Sequence, residues 1–254
     1  MIHTHNALRL GDNLVQLNFL RRACLADPAL EVTHYHNPQL CRAEEIDALR
    51  TDISLRLRLR TIDQAPPGSV DSWRNTGGWW ENHPDKLNFA KFHLAWFDEL
   101  AGRLGIPNPI RSVSDLLLDY PTLDEFIPMT PECDVLVINS PGLSGQFLNF
   151  SAEDFRDLIA RLILKGHRVI TTAPTGLCPH FENRNVTWIG AASTKAKVIV
   201  GTSTGPSWPC LNVHNIDKPV ILCADHEDVI LTRGGRMARS VHHAIHILEQ
   251  QGIL

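Results

Sequence analysis

Neither of the two common nucleotide cradles occurs in this sequence. There is no Gly-x-x-x-x-Gly-Lys-Ser/Thr loop and no Gly-x-Gly-x-x-Gly fingerprint anywhere in its 254 residues. Cysteine is sparse and scattered, at positions 24, 41, 133, 178, 210 and 223, with no Cys-x-x-Cys pair. That spacing excludes a zinc ribbon and builds no disulfide framework, so these thiols read as small buried apolar residues. No Asp-x-Asp metal motif is present, and no cofactor is expected. Positive charge is also short. Lys and Arg number 24 against 28 Asp and Glu, a net charge of −4 that provides no field for nucleic acid. No apolar run approaches the roughly 18 residues of a membrane span. Residues 1–20 carry neither the basic start nor the long apolar stretch of a secretory signal, and the expected location is the cytoplasm.

What is present is an ordinary globular composition, 43% hydrophobic and 20% charged, over a length that suits one large domain or two small ones. Short apolar runs alternate with amphipathic stretches, which predicts an α/β fold with parallel sheets. In the first half, Leu14, Leu17, Leu20 and Cys24 recur at helical spacing after Gly11 and Asp12. Residues 31–36 read as a strand, 39–49 as a helix, and 53–59 alternate with period two. A long amphipathic helix over 89–104 ends at Gly105 and Pro107, and 114–120 read as a strand. Residues 121–131 carry three prolines and no helical pattern, which places a boundary between domains 1–127 and 128–254. Beyond it, strands are expected at 135–139, 167–172, 186–189, 198–200 and 219–223. Helices are expected from the capping residue Ser151 to 164, and over 235–251.

The most informative segment is Lys197-Val-Ile-Val-Gly-Thr-Ser-Thr-Gly-Pro-Ser-Trp-Pro209. A wholly apolar β-branched run passes through small and hydroxyl-bearing residues into Pro206, a residue suited to the first helical position. Such a corner aims free N–H groups and a positive dipole end at one point, which suits a phosphate; a strand–turn–helix corner without a ligand has the same pattern. Two loops are expected at the same strand ends, where sites of open α/β sheets lie. Asn139-Ser-Pro-Gly-Leu-Ser-Gly145 is rich in small donors. Ala224-Asp-His-Glu-Asp228 is acidic and suits sugar hydroxyls rather than phosphate.

Leu10-Gly-Asp-Asn-Leu-Val-Gln-Leu-Asn-Phe-Leu-Arg-Arg22 resembles the first loop and helix of the heptosyltransferase-like glycosyltransferases of lipopolysaccharide-core type. Asn185-Val-Thr-Trp-Ile-Gly190, the 197–207 corner and Asp217-Lys-Pro-Val-Ile-Leu222 resemble the second domain of that family, in the same order. The chain departs from the family in carrying Trp208 where a His is usual, and in being some tens of residues shorter. The resemblance implies a GT-B fold, two Rossmann-like domains facing across a cleft, with the acceptor served by the first and the nucleotide-sugar by the second. It implies metal-independent, inverting transfer of a hexosyl or heptosyl group to a hydroxyl of a glycan or other acceptor, a step of carbohydrate biosynthesis. A sugar-nucleotide hydrolase or epimerase on the same fold, or a non-catalytic nucleotide-sugar-binding homologue, remain the alternatives.

Carried over to this chain, the family's general base falls on Asp12, a position that also suits helix capping. Donor-binding candidates are Ser140, Ser144, Ser203, Thr204, Gly205, Pro206, Ser207 and Asp225. Arg56, Arg58 and Arg60 alternate with leucines, so a strand would put them on one face, where Arg56 is a candidate for an anionic acceptor; a solvated face gives the same pattern. Trp73-Arg-Asn-Thr-Gly-Gly-Trp-Trp-Glu-Asn-His83 concentrates three tryptophans in an expected loop, and Trp79 and Trp80 are candidates for packing on an acceptor sugar or for stapling the loop. His242 and His246 have i, i+4 spacing but no third ligand follows from the sequence, and a surface helix face accounts for them.

Overall fold

The computed structural model describes residues 1–73, 76–142, 147–181, 186–225 and 228–254. The chain forms two compact units, Met1–Thr122 and Leu123–Leu254. Each is built on its own wholly parallel sheet.

In the first unit, β1 (Ile2–Asn6) is followed by α1 (Leu10–Ala26), β2 (Val32–His36), the single turn α2 (Ala43–Ile46), β3 (Leu57–Thr61) and β4 (Val70–Asp71). The short helix α3 (Trp79–Asn82) and the long α4 (Phe89–Leu104) complete it. The strand order is β3-β2-β1-β4. The helix α4 has the bounds its periodicity predicts. Asn88 caps its start by accepting from Lys91 N, and Gly105 at φ +65° ends it in the left-handed conformation that glycine adopts without a Cβ penalty. Phe92, Trp96, Phe97 and Leu100 form its buried stripe.

Helix α1 is buried on nearly all sides, including its polar residues Asn13, Gln16, Asn18 and Arg21. This explains why the apolar run 114–120 is not a strand. Asn18 Nδ2 donates to the carbonyls of Asp115, Leu116 and Leu117, and Arg21 Nε donates to Asp119 O. With these carbonyls taken by side chains, the segment forms a 3₁₀ turn over Val113–Leu116 instead of joining the sheet. Two other expectations also shorten. The helix at 39–49 is one α turn and a 3₁₀ turn, Asp47–Leu49, and the alternation at 53–59 becomes a strand only from Leu57.

The second unit has strand order β6-β5-β7-β8-β9, from β5 (Val135–Ile138), β6 (Val169–Thr171), β7 (Val198–Thr202), β8 (Val220–Cys223) and β9 (Arg236–Ala238). Its helices are α5 (Thr122–Phe126), where the two units part, α6 (Ala152–Leu164), α7 (Val186–Lys195) and α8 (Val241–Gln250). Val135, Val137, Val198 and Val200 pack against Phe155, Leu158 and Leu162 of α6 and Ala244, Ile245 and Leu248 of α8. Residues 186–189, expected as a strand, open α7, because a four-residue apolar run does not distinguish strand from buried helix. Arg236–Ala238 supplies the fifth strand in its place, and the last helix starts later than expected, with Ser240 accepting from His243 N. Lys218 Nζ donates to Ser193 O and Thr194 O at the C-terminal end of α7, and burial lowers its pKa to about 8.

Candidate functional site

In open parallel sheets a crevice forms where neighbouring strands send their connections to opposite sides, at the carboxyl ends. The second unit has this reversal between β5 and β7. Its floor is tied together by short polar side chains. Asn139 Oδ1 accepts from Thr172 N and Ala173 N, at 3.1 and 2.8 Å, and its Nδ2 donates to Ala173 O. Thr202 Oγ1 donates to Ser140 O at 2.6 Å, and the Ser140 and Thr172 hydroxyls bond at 3.0 Å. Gly201 lies against Ile138, where a Cβ would fall 2.3 Å from the Ile138 carbonyl oxygen, so only glycine permits this approach of β7 to β5.

Above this floor, Ser203, Thr204 and Ser207 are all buried. Thr204 N donates to Ser207 Oγ, Ser207 N to Thr204 O, and Ser207 Oγ to Thr204 O, closing a tight turn. The Ser207 hydroxyl is therefore committed to the turn. The Thr204 hydroxyl is buried with no hydrogen-bond partner. A Cβ on Gly142 would lie 3.7 Å from Thr204 Cγ2, so the loop after β5 reaches the same corner. The segment after Thr204 is a 3₁₀ helix, Gly205–Cys210, with Pro206 near its start and Pro209 inside it. At six residues of 3₁₀ geometry it has little macrodipole, so the expected dipole contribution gives way to individual N–H and O–H donors. Trp208, at the place of the resemblance's His, is buried in the unit. Asp225 accepts from Leu148 N at 2.5 Å and Asn149 Nδ2 at 3.0 Å, holding the 147–149 turn with both carboxylate oxygens. Ser144 lies outside the described residues, as do Asn185, His226 and Glu227 of the quoted motifs.

The first unit has its own reversal, between β1 and β4. Asp12 lies there, half-buried at the third position of α1, whose capping residue is Arg9. An acid in the first turn suits the helix dipole, but the N-cap position itself is not Asp12's. The corner is braced by residues that the sequence reading missed. His34 is buried, accepts from Thr4 Oγ1 at Nδ1 (2.9 Å) and donates from Nε2 to Asn13 Oδ1 (3.1 Å). Asn13 Nδ2 in turn donates to the carbonyls of Leu8 and Arg9, both at 3.0 Å, so the β1–α1 loop is held from beneath. Burial pushes the His34 pKa down to about 3, helped by nearby His36 and His5, which keeps the ring in the neutral Nε2–H form this network needs. The available signal was polar residues at apolar positions of β2 and α1.

Arg56 is not brought to this corner. Its guanidinium donates to Cys24 O and Asp27 O at the opposite end of α1, about 18 Å of helix rise from Asp12. Arg58 pairs with Glu31, so the expected row of three free guanidiniums does not form. The Trp79 ring lies 4.7 Å from His83, 5.3 Å from Phe92 and 5.4 Å from Trp96 by ring centroids, and Trp80 Nε1 donates to Lys86 O. Both tryptophans stand in α3 rather than an open loop, and their contacts staple it to α4 and to the turn that follows. Arg74 and Asn75 lie outside the described residues. Among the described residues no group of three or more His, Cys, Asp or Glu is placed to hold a metal ion, and no helix is long and apolar enough to cross a membrane.

No family model matches this chain, and no curated protein matches its sequence. Solved structures do match its fold. Escherichia coli heptosyltransferase WaaC, solved with ADP-2-deoxy-2-fluoro heptose, aligns with a TM-score of 0.64 at 13% identity over 98% of both chains. The E. coli ADP-heptose lipopolysaccharide heptosyltransferase II aligns at 0.60 and 11% identity over 99% of both. The iron-containing dodecameric glycosyltransferase TibC of enterotoxigenic E. coli aligns at 0.57 and 16%, over 92% of this chain and 62% of its own. The fold of this chain is thus that of the GT-B heptosyltransferase structures.

Proposed function

We propose that this chain is a glycosyltransferase that moves a sugar from a nucleotide-sugar donor to a hydroxyl of a glycan or other acceptor. In this reading residues 128–254 serve the donor and 1–127 the acceptor, and the protein acts in the cytoplasm. The observation that carries the reading is the Thr204 corner: a buried hydroxyl without a partner, beside small residues, at the β5/β7 strand reversal. A buried polar group left unpaired costs stability and is retained where something else supplies the partner. A diphosphate oxygen accepts from the Thr204 hydroxyl and from N–H groups around Gly205.

The chemistry balances on two groups. Asp12 accepts the proton of the acceptor hydroxyl as its oxygen bonds to the anomeric carbon. The bond from that carbon to the donor phosphate oxygen breaks, and the nucleoside diphosphate leaves with the electron pair. Donors at the Thr204 corner offset the charge developing there, a role that calls on no metal. Ser140 and Ser203 shape the corner, with Pro206 fixing the turn. Asp225 acts by holding the 147–149 turn, since both its oxygens are already engaged.

The test is a screen of ADP-, GDP-, UDP- and dTDP-sugars by thermal shift and calorimetry, on the wild type and on Thr204→Val. One class should bind saturably, and Thr204→Val should weaken it about tenfold, the worth of a hydrogen bond to a charged acceptor. Absence of saturable binding by any of the four overturns the reading. Rapid donor loss without acceptor identifies hydrolysis instead.

A further inference from the structure

The β1/β4 corner of the first unit holds a second group of unsatisfied atoms, and all three are donors. Asn6 is fully buried at the end of β1. Its Oδ1 accepts from Leu8 N at 2.9 Å, which fixes the amide in the β1–α1 loop, while its Nδ2 has no partner. Arg9 is the capping residue of α1, yet makes no side-chain cap bond, and its Nη1 is buried without an acceptor. Trp73 follows β4, with its backbone N–H on Asp71 Oδ1 and its indole Nε1 buried and unpaired. Because β1 and β4 pair in parallel, with His5 opposite Asp71 and Ser72 N donating to His5 O, Asn6 and Trp73 stand at the ends of adjacent strands.

Burying one donor unsatisfied is costly, and a charged one more so. Three such donors at the ends of β1 and β4 and the start of α1, with no unpartnered buried side-chain acceptor among the described residues of β1, β4 and the loops after them, define what completes them. The missing group must offer several lone pairs and carry negative charge opposite the guanidinium. A carboxylate or a phosphate does both. The N-terminal N–H groups of the 17-residue α1 add to the same potential, offset in part by the Asp12 carboxylate in its first turn. We propose that Asn6, Arg9 and Trp73 form an oxyanion-binding site, selective for a phosphate or carboxylate group, on the first unit. This site is independent of the donor assignment, since its atoms all belong to the first unit.

The test uses the full chain titrated with inorganic phosphate, acetate and, as a neutral control, glycerol, read by calorimetry and melting temperature. Phosphate or acetate should bind saturably and raise the melting temperature, and the tighter of the two names the anion; glycerol should do neither. Three variants each remove one donor with little change of shape: Asn6→Asp, which keeps the acceptor for Leu8 N, Arg9→Gln and Trp73→Phe. Each should weaken the anion about tenfold or more. Thr204→Val should leave it unchanged, which separates this site from the donor corner. Absence of saturable anion binding, or binding equal in wild type and all three variants, overturns the proposal. Trp73→Phe keeps it testable if either loop variant fails to fold.

Discussion

Acidification should loosen the first unit through one residue, His34. Its pKa is held near 3 in the folded chain, against an ordinary value of 6.5. Between those values the unfolded chain binds a proton that the folded chain does not, so stability falls as pH drops below 6.5. At pH 5 the linkage amounts to about 2 kcal/mol, from RT ln(1 + 10^1.5). For a unit of this size that corresponds to a melting-temperature loss of roughly 5–10 °C. The carboxylates whose pKa values are lowered, Asp115 and Asp134, lose their contribution only as pH falls below their unfolded value of 3.8, so they do not confuse a comparison of pH 7.5 with pH 5. Scanning calorimetry at these two pH values on wild type and His34→Gln isolates the effect. Glutamine donates and accepts but does not titrate. The variant should be less stable at pH 7.5, because its fit between Thr4 and Asn13 is poorer, but should lose about 2 kcal/mol less on acidification. An equal pH dependence in both proteins would refute the reasoning and place the acid response elsewhere.

Asp12→Asn should reduce turnover by roughly 10²–10⁴-fold with little change in melting temperature, measured by kcat and calorimetry together; near-normal turnover removes the base assignment. Gly201→Ala should destabilise the second unit by about 1–3 kcal/mol or more, because the new Cβ meets backbone atoms of Ile138 at 2.3–2.7 Å; an unchanged urea midpoint would contradict the strand contact. Trp79→Ala should cost about 2–3 kcal/mol, somewhat below a fully buried ring, through lost contact with Phe92 and Trp96. A drop in turnover without a drop in melting temperature would instead assign Trp79 to substrate.

The elements legible in the sequence are those whose own pattern decides them. Helix α4 carries both its cap and its terminating glycine, and 135–138 and 198–200 are apolar runs of β-branched type flanked by breakers. The alternation of strands and helices gives the α/β class, and the solved structures share that fold. What escapes is settled by partners distant in sequence. Residues 114–120 have a strand's composition, but their carbonyls are taken by Asn18 and Arg21, nearly a hundred residues away. Arg56 reads as a free charge until Cys24 O and Asp27 O are seen beside it. The buried Thr4–His34–Asn13 chain leaves only a faint local mark, polar residues at apolar positions of β2 and α1, and nothing local shows that the three meet. The corner at 201–207 is readable as a turn of small residues, whereas its 3₁₀ character depends on Pro209 and the Thr204–Ser207 bonds.

Gly201 also bears on how this scaffold can be redesigned. The strand ends beneath the second unit's crevice sit at a fixed separation, because any side chain there drives β7 off Ile138. A library aimed at a different ligand therefore gains nothing by diversifying the strand termini. The positions to vary instead are in the loops after β5 and β8, where Gly142 adjoins the corner and Asp225 clasps the 147–149 turn. Recruiting a bulkier ligand means lengthening those loops while the floor stays as it is, and selections should recover only glycine at 201, since the clash is with the backbone of Ile138 and no truncation of its side chain relieves it.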